Sequence, residues 1–408
     1  MSKLKTNTIQ HTGGSADNIT LDNSQNVTIE GNATVDGTST LTGNVTASGN
    51  LTVSGTTTIS GYHPTTSRSN RNLIINGGFQ IAQRSVSNNT AGSQSTYHTL
   101  DRWMTQIQAG TISEMRNDLT SSDTGPWQKG FRNYMRLLNQ SGIGAGSAQY
   151  AEIDQRIEAQ NVAQSGWDYT SSSSNITLSF WIRASVAQAY VAVIYTSDGT
   201  GRHYPFEIKD SGGSTLSANT WTKITKTIPG NSGITVNNDT GRGLTLSFLA
   251  AYGTNWTSNS GSFDSWNTTG GGNDRFPDMT NTWATTTNAT FDITGVQLEV
   301  GSVATNFEHE PEYITFTKCQ RYFQYWWHGI RYPSTASGNH DTYHFPTPMR
   351  AAPTIVRTGN QHGSYESGST TANTVSVSQY KYYYSGLLSY GNSSDSSVGG
   401  YGTVDAEL

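Results

Sequence analysis

From residue 31 to residue 61 the side chains alternate without a break. The odd positions hold Ala33, Val35, Ser39, Leu41, Val45, Ala47, Leu51, Val53, Thr57 and Ile59, and all fifteen even positions from Asn32 to Ser60 are polar. Alternation of period two marks extended strands with one buried face. Glycine interrupts the odd series at every sixth residue, Gly31, Gly37, Gly43, Gly49, Gly55 and Gly61, where a chain can bend without a Cβ clash. The pattern predicts a shaft of short strands turning around a thin apolar axis. Five hexads are too few for a single-chain β-helix, because repeat architectures need about three stacked units to bury a core. Three parallel copies, each giving one hexad per layer, would bury the odd face and close the sheet edges. A flexible Gly/Ser/Thr linker is the alternative, but a linker has no reason to keep every even position polar.

Upstream, Ile19-Thr-Leu21 and Val27-Thr-Ile29 continue the pattern less regularly, and the first eighteen residues lack it. Residues 1–30 are therefore expected to be an attachment arm, 31–61 the shaft and 62–71 a hinge. Between 72 and 307 the strand candidates are of two kinds. Ile176-Thr-Leu-Ser-Phe-Trp-Ile182 and Trp221-Thr-Lys-Ile-Thr-Lys-Thr-Ile228 alternate; Tyr190-Val-Ala-Val-Ile-Tyr195 and Leu244-Thr-Leu-Ser-Phe-Leu249 are largely apolar. Turn-rich stretches separate them at 197–201, 210–214 and 230–233. Two sheets packed face to face, a jelly-roll β-sandwich, is the economical architecture. A helical piece is expected over 148–161, although its Gln, Arg and Glu content does not exclude a strand. A short helix should follow residue 308, with Pro311 at its first position and Glu308, Glu310 and Glu312 near its positive end. Tyr313, Phe316, Cys319 and Phe323 follow at helical spacing, and Cys319 is expected to be a buried core thiol. Residues 308–408 are expected to form a small β-rich tip domain.

Composition sharpens the fold class. Charged residues make up 13% of the chain, about half the usual quarter, and Ser, Thr, Asn and Gly take their place. Long helices draw on Glu, Lys, Ala and Leu, so the inventory favours an all-β protein. A net charge of −5 offers no basic field for nucleic acid. No run approaches the length of a membrane span, and residues 1–5 are not followed by an apolar signal-peptide core. With a single cysteine the chain cannot form an internal disulfide. The combination suits assembly in a cytoplasm followed by work outside the cell.

Several segments resemble a domain common in bacteriophage tail fibres and related virion appendages. They are Asn72-Leu-Ile-Ile-Asn-Gly-Gly-Phe-Gln-Ile-Ala-Gln-Arg84, Tyr97-His-Thr-Leu-Asp-Arg-Trp103, Leu178-Ser-Phe-Trp-Ile-Arg-Ala184, residues 291–305, Cys319-Gln-Arg-Tyr-Phe323 and Pro346-Thr-Pro-Met-Arg-Ala-Ala-Pro353. They run in family order over about residues 72–355. The N-terminal hexads resemble the repetitive shafts of cyanophage and other marine phage fibres. The resemblance implies a jelly-roll or carbohydrate-binding-module-like sandwich, usually trimeric, displayed on a virion and attaching it to host-surface glycans. The implied partners are two further copies of the chain, a tail or adaptor protein at the N-terminus and a host polysaccharide. Neither nucleic acid nor a membrane is among them. The motifs at 101–103 and 295–299 are read as structural.

Candidate chemistry is sparse. A glycosidase needs two carboxylates flanking the scissile bond. Glu152, Asp154, Glu158, Asp264, Asp274, Asp278 and Glu299 are available, but nothing marks one as acid and another as base, so no catalytic residue is assigned and no enzyme activity is expected. His340 and His344 are four apart, without metal-ligand character; no metal or cofactor is expected. A polysaccharide depolymerase, or a virion spike without a ligand, are the alternatives. Sugar recognition wants flat aromatic faces beside amides, carboxylates or guanidiniums. The insert from 252 to 283 supplies them, and the binding candidates there are Trp256, Trp266, Asp274, Arg275 and Trp283. The same loop could fold its tryptophans into its own mini-core or a neighbouring subunit. Tyr382 and Tyr384 in the Tyr-rich end are the second set.

Overall fold

A computed structural model of the chain describes residues 8–9, 19–21, 27–29, 38, 71–144, 146–257, 261–268, 277–332, 339–360, 373–377, 381–386 and 396–408. In the short N-terminal strands and much of the C-terminal sheets it describes the backbone alone. The hexads, apart from Thr38, lie outside the described residues. The chain divides into two compact units, 1–63 and 64–408. In the first, β1 (Thr8–Ile9), β2 (Ile19–Leu21) and β3 (Val27–Ile29) form an antiparallel sheet, with Thr20 opposite both Thr8 and Thr28.

The second unit is built on an antiparallel jelly-roll sandwich. Its strands in chain order are β4 (Ser87–Ala91), β5 (Gln94–Thr96), β6 (Trp103–Gln108), β7 (Thr111–Asp118), β8 (Asn133–Asn139), β9 (Tyr150–Glu158), β10 (Asn175–Ala184), β11 (Tyr190–Thr196), β12 (Arg202–Ile208), β13 (Thr222–Pro229), β14 (Arg242–Tyr252), β15 (Asn267–Thr268) and β16 (Ala289–Val300). A six-stranded sheet runs β13-β10-β16-β8-β7-β4, and a seven-stranded sheet runs β15-β12-β11-β14-β9-β6-β5. Alternation decides the packing. Ile176, Leu178, Phe180 and Ile182 point inward from β10 and meet Leu244, Leu246 and Phe248 of β14, with the Phe180 and Phe248 rings 4.8 Å apart. Full burial of such side chains contributes about 1.5–3 kcal/mol each.

The apolar runs on β11 and β14 are covered on both faces. Ala192 and Ile194 enter the main core, while Val191, Val193 and Leu249 pack outward against Trp256, Phe263 and Met279 of the 252–283 insert. The expected helix over 148–161 is mostly strand. Ala151, Ile153 and Ile157 are buried on one side of β9, the period-two signature, and only α1 (Ala159–Ala163) is helical.

Residues 72–84 lace the two sheets together. Ile75 N–H donates to Gln155 Oε1 of β9 and Gln155 Nε2 returns to Ile75 O, both at 2.8 Å. On the other sheet Leu73 N–H donates to Leu298 O at 2.9 Å, and Leu298 N–H donates to Asn72 Oδ1 at 3.0 Å. Asn76, in the left-handed region at φ 59, bonds Ile81 through both its side-chain atoms and accepts Trp103 Nε1 on its carbonyl at 3.0 Å. The expected structural reading of 101–103 holds in detail: all three side chains are buried.

After α2 (Thr282–Thr285) and β16 comes α3 (Glu312–Gln320). Pro311 caps it from outside rather than occupying its first position. Cys319 is buried as expected, but Tyr313 and Phe316 are 68% and 37% exposed. Beyond α3, β17 (Phe323–Tyr332), β18 (Asn339–His344), β19 (Thr354–Asn360), β20 (Asn373–Val377), β21 (Lys381–Gly386) and β22 (Ser396–Asp405) make two three-stranded sheets, β17-β22-β19 and β18-β21-β20. Buried ion pairs fasten this region to the sandwich. Arg102 pairs with Glu407 and stacks 3.5 Å over the Tyr322 ring, and Arg321 grips both oxygens of Glu158 at 2.7 and 2.8 Å.

Candidate functional site

The outer face of the six-stranded sheet carries a cluster of half-exposed aromatic side chains. On β10 the alternation that sends Phe180 and Ile182 inward turns Trp181 and Arg183 outward. Arg183 stands opposite Asp292 of β16, which stands opposite Arg136 of β8. Asp292 is fully buried, and its two oxygens take Arg136 Nε at 2.7 Å and Nη2 at 2.8 Å, with Arg183 Nε at 2.9 Å. Two guanidiniums thus flank one carboxylate across three strands. Hydrogen bonding to Asp292 raises the Arg136 guanidinium still further above its ordinary range.

A loop before β8 completes the ladder. Asp123 Oδ1 accepts Arg183 Nη1 at 2.7 Å and the Trp221 indole N–H at 3.1 Å. Burial pushes the Asp123 carboxyl up, but hydrogen bonds from Thr120 and Trp221 and the Arg183 charge outweigh it and hold the group below its ordinary range. The guanidinium of Arg183 lies 4.6 Å from the Trp221 ring and 5.2 Å from the Tyr134 ring, and those two rings meet edge to face at 5.5 Å. Gly125 (φ +100) presses its backbone against Trp181, where a Cβ would come within 2.6 Å of the indole. Trp127 lies under Arg132 at 3.9 Å. Trp127, Trp181, Trp221 and Phe307 are all partly buried and partly open.

The patch runs into a small cleft lined in part by Phe131 and Phe307. Phe131, Phe307 and His309 make a three-ring wall with centroids 4.8 to 5.0 Å apart. His309 Nε2 lies 2.8 Å from Lys129 O; a carbonyl only accepts, so Nε2 is the donor in this contact. Gln80, Arg132 and the Glu310–Lys318 pair supply further polar groups. A Gly295 bulge makes the wall fit: at φ +63, its hydrogen points at Phe131, and a Cβ there would meet the ring at 2.5 Å. Rings held by packing, beside guanidiniums and carboxylates held by one another, form a rigid surface for stacking against C–H faces and bonding hydroxyls.

The residues singled out in the sequence do not converge there. Trp283 is fully buried in the main core, which corrects its assignment to binding: its ring has no face left for a ligand. Trp256 donates its indole N–H to Ala148 O at 2.8 Å and stands edge-on to Tyr150, covering the seven-stranded sheet. Trp266 donates to Pro229 O at 2.7 Å and packs on Tyr204. The insert thus spends these tryptophans on covering the sandwich. Asp274 and Arg275 lie outside the described residues. Tyr382 and Tyr384 are placed by backbone only, opposite Tyr343 and Asp341.

The carboxylate candidates are scattered. Glu152 and Asp154 share the Gln106 amide beneath the seven-stranded sheet's outer surface, both nearly inaccessible, and burial pushes the Asp154 carboxyl up. Glu158 serves Arg321, Asp264 pairs with Lys226, Asp278 accepts from Thr257, and Glu299 binds Thr305. Among the described residues no group of three or more His, Cys, Asp or Glu is placed to hold a metal ion.

No protein-family model matches the sequence, and no curated protein matches it. Solved structures show distant likenesses. One is the enzymatically active domain of tailspike protein 4 of bacteriophage CBA120, at 12% identity and TM-score 0.28, covering 56% of this chain and 21% of that one. Another is a putative sugar-binding protein of Bacteroides thetaiotaomicron, at 14% identity and TM-score 0.29, covering 57% of this chain and all of that one. A third is a xylan-binding domain of Paenibacillus barcinonensis, at 9% identity and TM-score 0.25, covering 55% and 100%. At this distance the functional reading has to come from the site itself.

Proposed function

We propose that the chain is a non-enzymatic glycan-binding appendage of a virion, a tail fibre that attaches to host-surface polysaccharide through the outer face of the six-stranded sheet. The observation that carries the reading is the set of half-open rings, Trp127, Trp181, Trp221 and Phe307, around the Arg136–Asp292–Arg183–Asp123 ladder and beside an open cleft. The virion context rests on the hexad shaft and the ordered tail-fibre segments in the sequence. In this reading residues 1–30 dock to a tail or adaptor protein, three copies wind together over 31–61, and the sandwiches present their aromatic patches to the host. The patch binds by stacking and hydrogen bonding, and no bond is broken.

Calorimetric titration of the full chain with polysaccharides from candidate host cells tests the reading. Saturable binding by the wild type is expected, weakened about tenfold or more in Trp127→Ala or Trp181→Ala, since tenfold corresponds to about 1.4 kcal/mol and one aromatic contact supplies that order. Reducing-end release from the same polysaccharides would instead point to a depolymerase. Absence of binding across the panel would leave a ligand-free spike.

A further inference from the structure

We infer that the glycan taken by the outer face of the six-stranded sheet is anionic, a polysaccharide whose sugars carry carboxylate or sulfate groups; the inference rests on the binding reading above and narrows its ligand. Its ground is which hydrogen-bonding groups of the face are spent and which are left. A neutral sugar presents hydroxyls, each of which gives a proton as well as accepting one, so its site needs open acceptors beside its donors. An anionic oxygen only accepts, and donors alone satisfy it.

The carboxylates of this face are spent within the protein. Asp292 is taken by Arg136 and Arg183, Asp123 accepts from Arg183, Trp221 and Thr120, and Glu310 pairs with Lys318. Glu308, which lines the cleft, accepts the backbone N–H groups of Arg71 and Asn72 at 3.0 and 3.1 Å. Asp118, exposed at the end of β7 and bonded to Asn133 Nδ2 at 2.7 Å, is the one left with room for a partner.

The donors are not spent. Arg132 is exposed where the cleft meets the aromatic patch, and its guanidinium lies 3.9 Å from the Trp127 ring. Only Nη1 is engaged, with Phe131 O at 2.7 Å and Trp127 O at 3.3 Å, which leaves Nε and Nη2 to a ligand. Two carbonyls and an indole hold the fork in place, so it is preorganised for an anionic group. Lys223 is exposed on β13, directly opposite Trp181. Neither Arg132 nor Lys223 belongs to an ion pair among the described residues. Two open cations thus stand beside two half-open rings, on a chain whose net charge of −5 would by itself repel a polyanion.

The test is calorimetric titration of the full chain with two matched pairs, polygalacturonate against its methyl ester and dextran sulfate against dextran. Polysaccharide from candidate host cells is added before and after reduction of its carboxyl groups to alcohols. The charged member of at least one pair should bind about tenfold or more tighter than its neutral counterpart, and the carboxylate and sulfate arms tell which group is read. Arg132→Gln should weaken that binding by about tenfold and Lys223→Gln by about threefold. Raising sodium chloride from about 50 mM to about 500 mM cuts the screening length about threefold and should weaken wild type more than Arg132→Gln. Equal affinity for charged and neutral members, lost in Trp181→Ala, would overturn the charge preference and leave the glycan site standing. Charged binding untouched by both glutamine changes would overturn it as attraction elsewhere on the surface. No binding to any of the polymers would sink the preference and the site together.

Discussion

Glu114 is a carboxyl built into the wrong place, and its cost can be read as a function of pH. It lies on β7, opposite Asn88 and Leu137, and is 1% exposed on the same side of the strand as the core residue Ile112. Burial pushes its carboxyl from the ordinary 4.5 up to about 7, against weaker opposing effects from Thr105, Thr99 and Arg84. The two threonine hydroxyls are too poorly placed to make hydrogen bonds of normal geometry, and both carboxyl oxygens are buried without one. Because the folded value lies above the unfolded one, charged Glu114 destabilises the fold above pH 7. A rise of that size corresponds to about 3 kcal/mol. The penalty fades as pH falls from about 7 toward 4.5 and is absent below that, where both states are protonated. Glu114→Gln removes the titration. Urea unfolding of wild type and variant from pH 4.5 to 8.5 should show the variant more stable by up to about 3 kcal/mol at pH 8.5 and close to wild type at pH 4.5. Taking the difference cancels His98, which burial lowers and which acts in the opposite direction. Parallel pH profiles for the two proteins would refute the reasoning.

Three further outcomes follow from the same geometry. Gly295→Ala forces a Cβ into the Phe131 ring at a positive φ and should cost about 2–3 kcal/mol in urea unfolding while weakening glycan binding. Glu407→Ala strands the Arg102 guanidinium, itself 1% exposed, and should cost about 3–5 kcal/mol, with limited proteolysis cutting first after residue 323. For Glu158, burial pushes the carboxyl up but Arg321 and Tyr322 outweigh it and hold it below the ordinary range. Its stabilisation is therefore present above about pH 4.5 and lost as pH falls through the lower folded value. Glu158→Gln should flatten the acid limb of the wild-type unfolding profile.

Much of the sandwich was legible in the sequence because its strands carry their own alternation. The runs at 176–182, 190–195, 221–228 and 244–249 fall within β10, β11, β13 and β14 with at most one residue outside a strand end. The apolar character of 190–195 on both faces finds its reason in the structure, where the insert covers the outer face. The site was harder to read. Trp181 and Arg183 lie at outward positions on an alternating strand, yet in the sequence the 178–184 segment read only as a strand and as one of the tail-fibre-like pieces. Asp123, Arg183, Trp221 and Asp292 meet only through strand register across 60 to 109 positions, and local pattern carries no register. The insert misled for a related reason. Its tryptophans have sugar-binding chemistry, but a loop without periodicity does not say which face is covered, and Trp283 went to the core. On α3 the buried Cys319 was anticipated, but spacing alone could not tell that Thr315, not Tyr313 or Phe316, is buried with it, or that Phe323 already belongs to a strand.

The most direct test of glycan recognition by the six-stranded sheet is a crystal structure of the protein with an oligosaccharide cut from a polysaccharide it binds. Sugar rings stacked on Trp127, Trp181 or Phe307, with hydroxyls bonded to Arg132, Arg136 or Arg183, are the predicted result. Sugar seated on the insert over the seven-stranded sheet, or on the C-terminal sheets with the aromatic patch bare, would contradict it.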